Sequence, residues 1–160
     1  MSHTYVLWFA VIAYAIHILE EHELNWRGWA RQVLRLPVDW PTFYLVNALV
    51  IVVGISCAVI GWQEAWFALA FPAAMLINAT VFHVAPTMIT RVYSPGVASA
   101  VLIFYPVALW AYYAAWLDGA LTVTTGIISG AVGAALMATP VVLLKLKHWK
   151  VFSYGEGQVG

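Results

Sequence analysis

Charge is what this chain has least of. Seven Lys and Arg and seven Asp and Glu are spread over 160 residues, 9% of the total, where a soluble domain averages about 25%. The net charge is zero and no block of basic residues stands out, so no nucleic-acid footprint is expected. Cysteine is almost absent: Cys57 stands alone, which excludes an intrachain disulfide framework and a Cys-type zinc site. The first apolar segment has no basic stretch before it and no small-residue cleavage site followed by a soluble mature chain, so a cleavable signal peptide is not expected.

Apolar length is what the chain has in abundance. Hydrophobic residues make up 64% of it, and a membrane span needs about 20 of them in succession. Five stretches qualify, about 4–21, 42–61, 65–85, 97–117 and 121–144. The expectation is an all-α polytopic membrane bundle of five transmembrane helices forming one domain. The connections at 62–64 and 118–120 are tight, so the spans they join should pack antiparallel.

Basic residues orient such a bundle. Arg27, Arg31 and Arg35 fall in the first loop, Arg91 in the third, and Lys145, Lys147 and Lys150 after the fifth span, whereas Glu64 and Asp118 fall in the other loops. An N-out, C-in topology follows, in the cytoplasmic membrane if the source is bacterial. Within the first loop, Trp26, Trp29, Ala30, Val33 and Leu34 recur at helical spacing beside a stripe of Arg27, Arg31 and Arg35. That pattern predicts a short interfacial amphipathic helix over about 26–36.

Against this apolar background a few polar residues carry the chemistry. An ionisable side chain costs roughly 2.5–3.5 kcal/mol at mid-bilayer on insertion scales, so it ordinarily faces a protein interior and marks function. The first span holds His17, Glu20 and Glu21, and residues three and four apart share a helix face. With the topology above, Asn47 on the second span and Asn78 and His83 on the third fall at similar depth. One polar pocket in the cytoplasmic leaflet is expected. His17, Glu20, Glu21 and His83 are the candidate catalytic residues and candidate ligands of a divalent metal, zinc or iron. Asn47, Asn78, Arg91 and Tyr93 are candidate substrate contacts. The same His/Glu set would also serve a metal-free acid–base pair or a proton relay, and the residues do not choose among these uses.

Several polar groups have plainer readings. His3, Glu64, Asp118 and His148 lie in turns or tails and read as surface groups. Pro95 and Gly96 make a turn, and Ser94 is placed to cap the fourth span. Gly126, Gly130 and Gly133 form a small-residue face that permits close helix packing within the chain or in a homo-oligomer.

Three elements in order, His17-Ile-Leu-Glu20-Glu21, Asn78-Ala-Thr-Val-Phe-His83 and Arg91-Val-Tyr-Ser-Pro-Gly96, resemble the HXXEE-motif family of integral membrane proteins. The resemblance covers roughly the first hundred residues and implies a shared site without naming a reaction. Together these readings predict a small membrane enzyme, a hydrolase or lyase or an acid–base isomerase, acting on a lipid or lipophilic metabolite. The alternative is a proton-coupled transporter or lipid-binding membrane protein using the same cluster.

Overall fold

The structure, a computed structural model, describes residues 2–147, with side chains described to residue 142. The tail from His148 to Gly160, including Lys150, lies outside the described residues, as do the side chains of Lys145 and Lys147. Among the described residues every regular element is helical. Helix α1 (Val6–Glu23) is followed by a short α2 (Trp26–Gln32) and by α3 (Trp40–Ile60). A 3-10 turn at Gly61–Glu64 leads into α4 (Ala65–Ala68) and α5 (Ala70–Asn78). A π-helical segment, Ala79–Val84, passes into α6 (Ala85–Thr90). After a loop come α7 (Val97–Ser99), a second π segment (Ala100–Phe104), α8 (Tyr105–Leu117) and α9 (Val123–Lys147).

Four helical stretches are long and apolar enough to cross a membrane: Trp40–Ala68, Ala70–Thr90, Val97–Leu117 and Val123–Val142. This corrects the expected count of five. Helix α1 falls short because its 18 residues end in Glu20, Glu21 and Glu23. The expected interfacial helix is also shorter, with seven residues. Leu36 is biased away from helical geometry by Pro37, and Arg35 takes a positive φ of 55°. Helix α2 packs inward, burying Trp29 and Ala30 with Val38 and Phe43.

Reversals at the two tight turns set the packing. Cys57 donates to the Phe67 carbonyl across the first, and the Tyr112 and Ser129 hydroxyls pair at 3.0 Å across the second. Helix α9 lies along α5, where a Cβ on Gly133 would stand 2.7 Å from the Ala73 Cβ and 2.8 Å from the Ala74 nitrogen. Gly133 therefore belongs to packing within the chain, whereas a Cβ on Gly130 would meet nothing within 4 Å. Helix α1 sits against α3, α5 and α8. It buries one stripe, Val6, Leu7, Ala10, Ala13, Tyr14, His17 and Glu21, at the 3.6-residue period.

Each π segment has an identifiable cause. Pro86 and Pro106 lack the N–H that would continue the ladder, and just before each the bonding widens to five residues, from Ala85 N–H to Thr80 O and from Tyr105 N–H to Ala100 O. The Thr80 and Tyr105 hydroxyls join the two segments at 2.9 Å. This widened turn carries His83.

Candidate functional site

The buried stripe of α1 ends in His17 and Glu21, one turn apart, and the π segment presents His83 to them. All three are buried. The Glu21 Oε1 atom lies 3.6 Å from His17 Nε2 and 3.4 Å from His83 Nε2. The two imidazoles meet edge to face with centroids 4.7 Å apart.

The other ring nitrogens decide which atoms carry hydrogen. Ser99 donates its hydroxyl to the Gly96 carbonyl at 3.2 Å. Its oxygen must then accept from His17 Nδ1–H, 2.7 Å away. Ser94 likewise donates to the Phe82 carbonyl at 3.3 Å and accepts from His83 Nδ1–H at 3.1 Å. Phe82 is the carbonyl that Pro86, four residues on, cannot engage. With hydrogen on both Nδ1 atoms, both Nε2 atoms present bare lone pairs. Neither has a hydrogen-bond partner. Two lone pairs and a carboxylate thus face one point in an apolar interior, an arrangement that a cation relieves.

The distances suit one. Metal bonds of about 2.0–2.1 Å in a tetrahedron put neighbouring donor atoms about 3.4 Å apart, and one donor atom from each of the three residues lies within 4.8 Å of the others. Three protein donors leave a fourth position open, as in catalytic rather than structural sites.

Gly96 makes the convergence possible. A Cβ there would lie 2.7 Å from His83 Cε1 and 2.8 Å from His17 Cε1, and its φ of 95° disfavours a side chain in any case. The loop 94–99 therefore braces both rings, with Ser94 on one, Ser99 on the other and bare backbone between them.

Glu20 is used differently. Its carboxylate accepts from the Gly96, Ala98 and Ser99 backbone N–H groups at 3.2, 3.3 and 2.8 Å and from the Tyr93 hydroxyl at 2.9 Å. It caps the helix that begins at Val97, where a negative charge meets unsatisfied N–H groups and the positive end of the helix dipole. The structure does not bring Glu20 to the point shared by His17, Glu21 and His83. Ser94, expected to be that cap, makes no side-chain cap bond. Tyr93 serves the same clamp, and its phenol is held above its ordinary value by desolvation and by donating to Glu20. Arg91 is exposed at the left-handed end of α6.

Asn47 and Asn78 line a pocket that reaches the site at Glu21. Asn47 is fully engaged, accepting from Tyr14 at 3.0 Å and donating to the Phe43 carbonyl at 3.0 Å. The Asn78 side chain is within hydrogen-bonding reach of the His17 ring, although its buried Oδ1 makes no bond of good geometry.

The profile of a family described as "Protein of unknown function with HXXEE motif" matches residues 8–111. The chain belongs to this family. No curated protein and no solved structure matches it. In this HXXEE protein the motif letters divide their work: the His and the second Glu face His83, and the first Glu caps a neighbouring helix. Ser94, Gly96 and Ser99 complete the arrangement. Sequence reasoning gave Ser94 another role, Gly96 only a turn and Ser99 none. Their one signal was a compact run of small residues just before an apolar span.

Proposed function

We propose that this chain is a small integral membrane enzyme, metal-dependent, acting on a lipid or lipophilic metabolite. The observation that carries the reading is the convergence of two unpartnered Nε2 lone pairs and the Glu21 carboxylate inside an apolar bundle, beside a pocket. His17, His83 and Glu21 would hold the ion, with zinc or iron suiting two imidazoles and a carboxylate. Such an ion supplies Lewis-acid polarisation and, if iron, redox chemistry at the inner end of the pocket. Ser94 and Ser99 fix the two ring orientations. Glu20 and Tyr93 hold the loop that carries these serines.

In this reading α1 lies beside the four apolar stretches with its outer face toward lipid. Trp8, Phe9, Ile12, Ile16 and Leu19 are exposed along its outer face, a stripe suited to lipid. Its first residues reach the turns before α4 and α9, as the hydrogen bonds from His3 and Trp62 to Asp118 indicate. The arginines of the first and third loops belong to the opposite end, with Glu20 and Glu21. That distribution supports an N-out, C-in orientation by the positive-inside rule, with the site in the cytoplasmic leaflet.

The test pairs elemental analysis with lipid profiling of membranes carrying wild-type protein, His17→Ala or His83→Ala. The reading expects about one ion per wild-type chain, lost in both variants, and a lipophilic species whose level changes with the wild type alone. Identical lipid profiles with all three proteins folded would sink the enzyme reading and favour proton-coupled transport by the same residues.

A further inference from the structure

The pocket beside the site states what it would accept. It is open at one end and larger than a single water needs. Its walls are apolar, Leu36, Val38, Val46, Val50, Phe82 and Met137 among them. Among the described residues no Lys or Arg lines it. Arg27, whose neighbour Trp26 does line it, lies over the Trp40 ring at 5.8 Å. Apart from an ion at the proposed site, an anionic headgroup in this pocket would find no counter-charge, and it would lie beside the Glu21 carboxylate.

The polar groups of the lining narrow the ligand further. Tyr14 and Asn47 satisfy one another and the Phe43 carbonyl. The Asn78 amide oxygen Oδ1, an acceptor, and Trp26 Nε1, a donor, are left buried without a hydrogen-bond partner, and an unmet buried polar group costs free energy that a partner removes. A hydroxyl fits either orientation of that amide, since it donates to Oδ1 and accepts from Nδ2.

We infer that the pocket binds an uncharged apolar molecule carrying a hydroxyl, with the hydroxyl on Asn78 beside Glu21 and the hydrocarbon between α1, α3 and α9. This names the substrate class of the site proposed above and rests on that reading in one respect: a bound cation offsets the charge of Glu21, so the ligand need not be an amine.

The test measures binding to purified wild-type protein and Asn78→Leu, with ion content determined on the same samples. The probes are dodecanol, dodecyl methyl ether, dodecanoate, dodecyl phosphate and dodecylamine. Wild type should bind dodecanol about tenfold more tightly than the ether, the value of one hydrogen bond, and more tightly than either anion or the amine. Asn78→Leu should bind the ether as before and lose the preference for the alcohol. An anion or the amine binding as well as dodecanol would overturn the inference. So would a preference that survives in Asn78→Leu, or no saturable binding of any probe. Repeating the wild-type series after chelation separates the two ideas. Alcohol preference in protein that never holds an ion keeps the pocket and removes the metal, whereas ion-loaded protein without the preference removes the pocket alone.

Discussion

The two ends of the bundle each bring a histidine to a carboxylate, and they differ in what is left over. At one end Asp118 accepts from the His3 backbone N–H at 2.6 Å, from Trp62 Nε1 at 2.7 Å and from Ser2 at 3.3 Å, and pairs with the His3 ring. Each of these contacts has a donor, and His3 is still 38% exposed. At the other end His17, Glu21 and His83 are buried and no donor stands between them. The same residue types therefore make a clasp at one end and a candidate site at the other. What distinguishes the two is whether the hydrogen bonds are complete. Asp118 and His3, expected from the sequence to be surface groups, tie the start of α1 to two turns.

The largest effect should come from removing a ring. His83→Ala should weaken divalent-metal binding by more than about 100-fold, beyond the loss usual for an outer-shell partner. Equilibrium titration would show it, with helical content by circular dichroism unchanged. Substitutions at the clasp should leave that affinity alone.

Gly96→Ala should act on both rings at once. A Cβ 2.7–2.8 Å from two imidazole carbons, at a positive φ, adds overpacking to backbone strain, roughly 2–4 kcal/mol together. A lowered thermal midpoint with impaired metal binding is expected, and an unperturbed variant would show that the loop is not packed as described.

The two glutamates of the motif should separate. Glu20→Gln weakens a charge-assisted helix cap and should cost about 1–2 kcal/mol of stability, read as a lower midpoint with metal binding retained. Glu21→Gln should do the reverse, sparing the cap and losing affinity for the ion.

The smallest effect is at the clasp. Asp118 is held below the usual carboxylate range, first by the His3 backbone N–H, then by the His3 ring and Trp62. A depressed folded-state pKa contributes stability above the ordinary carboxylate value of about 3.9, and that stability drains as pH falls below it. Wild type should therefore lose a few degrees of thermal midpoint on acidification through that range which Asp118→Asn does not lose. Parallel curves for the two proteins would remove Asp118 from the account.

Much of the site was legible in advance because it rests on periodicity. His17 and Glu21 are four apart on one helix, and His83 falls at the same depth once spans and turns are counted. Glu20 could have been separated from Glu21 on the same grounds, since consecutive residues point about 100° apart around a helix of 3.6 residues per turn. The sharing of work between them was hidden because the partners of Glu20 lie more than seventy residues away. The serines were hidden for a related reason: a hydroxyl on an imidazole is a tertiary contact that leaves no periodic trace. The span count went astray at α1, where three carboxylates close to one end outweigh an apolar stripe. Pro86 and Pro106 were visible throughout, but their effect, a widened turn that aims His83 inward, depends on which carbonyl each proline leaves free.

The central claim is that one point in the bundle is built for a cation by His17, Glu21 and His83, with Glu20 outside it. Zinc titration of wild type, Glu20→Gln and Glu21→Gln in one detergent tests it most directly. The account predicts one tight ion per chain in wild type and Glu20→Gln, and an affinity lower by at least about tenfold in Glu21→Gln. Equal affinities in the two variants, or no tight ion in wild type, would contradict it.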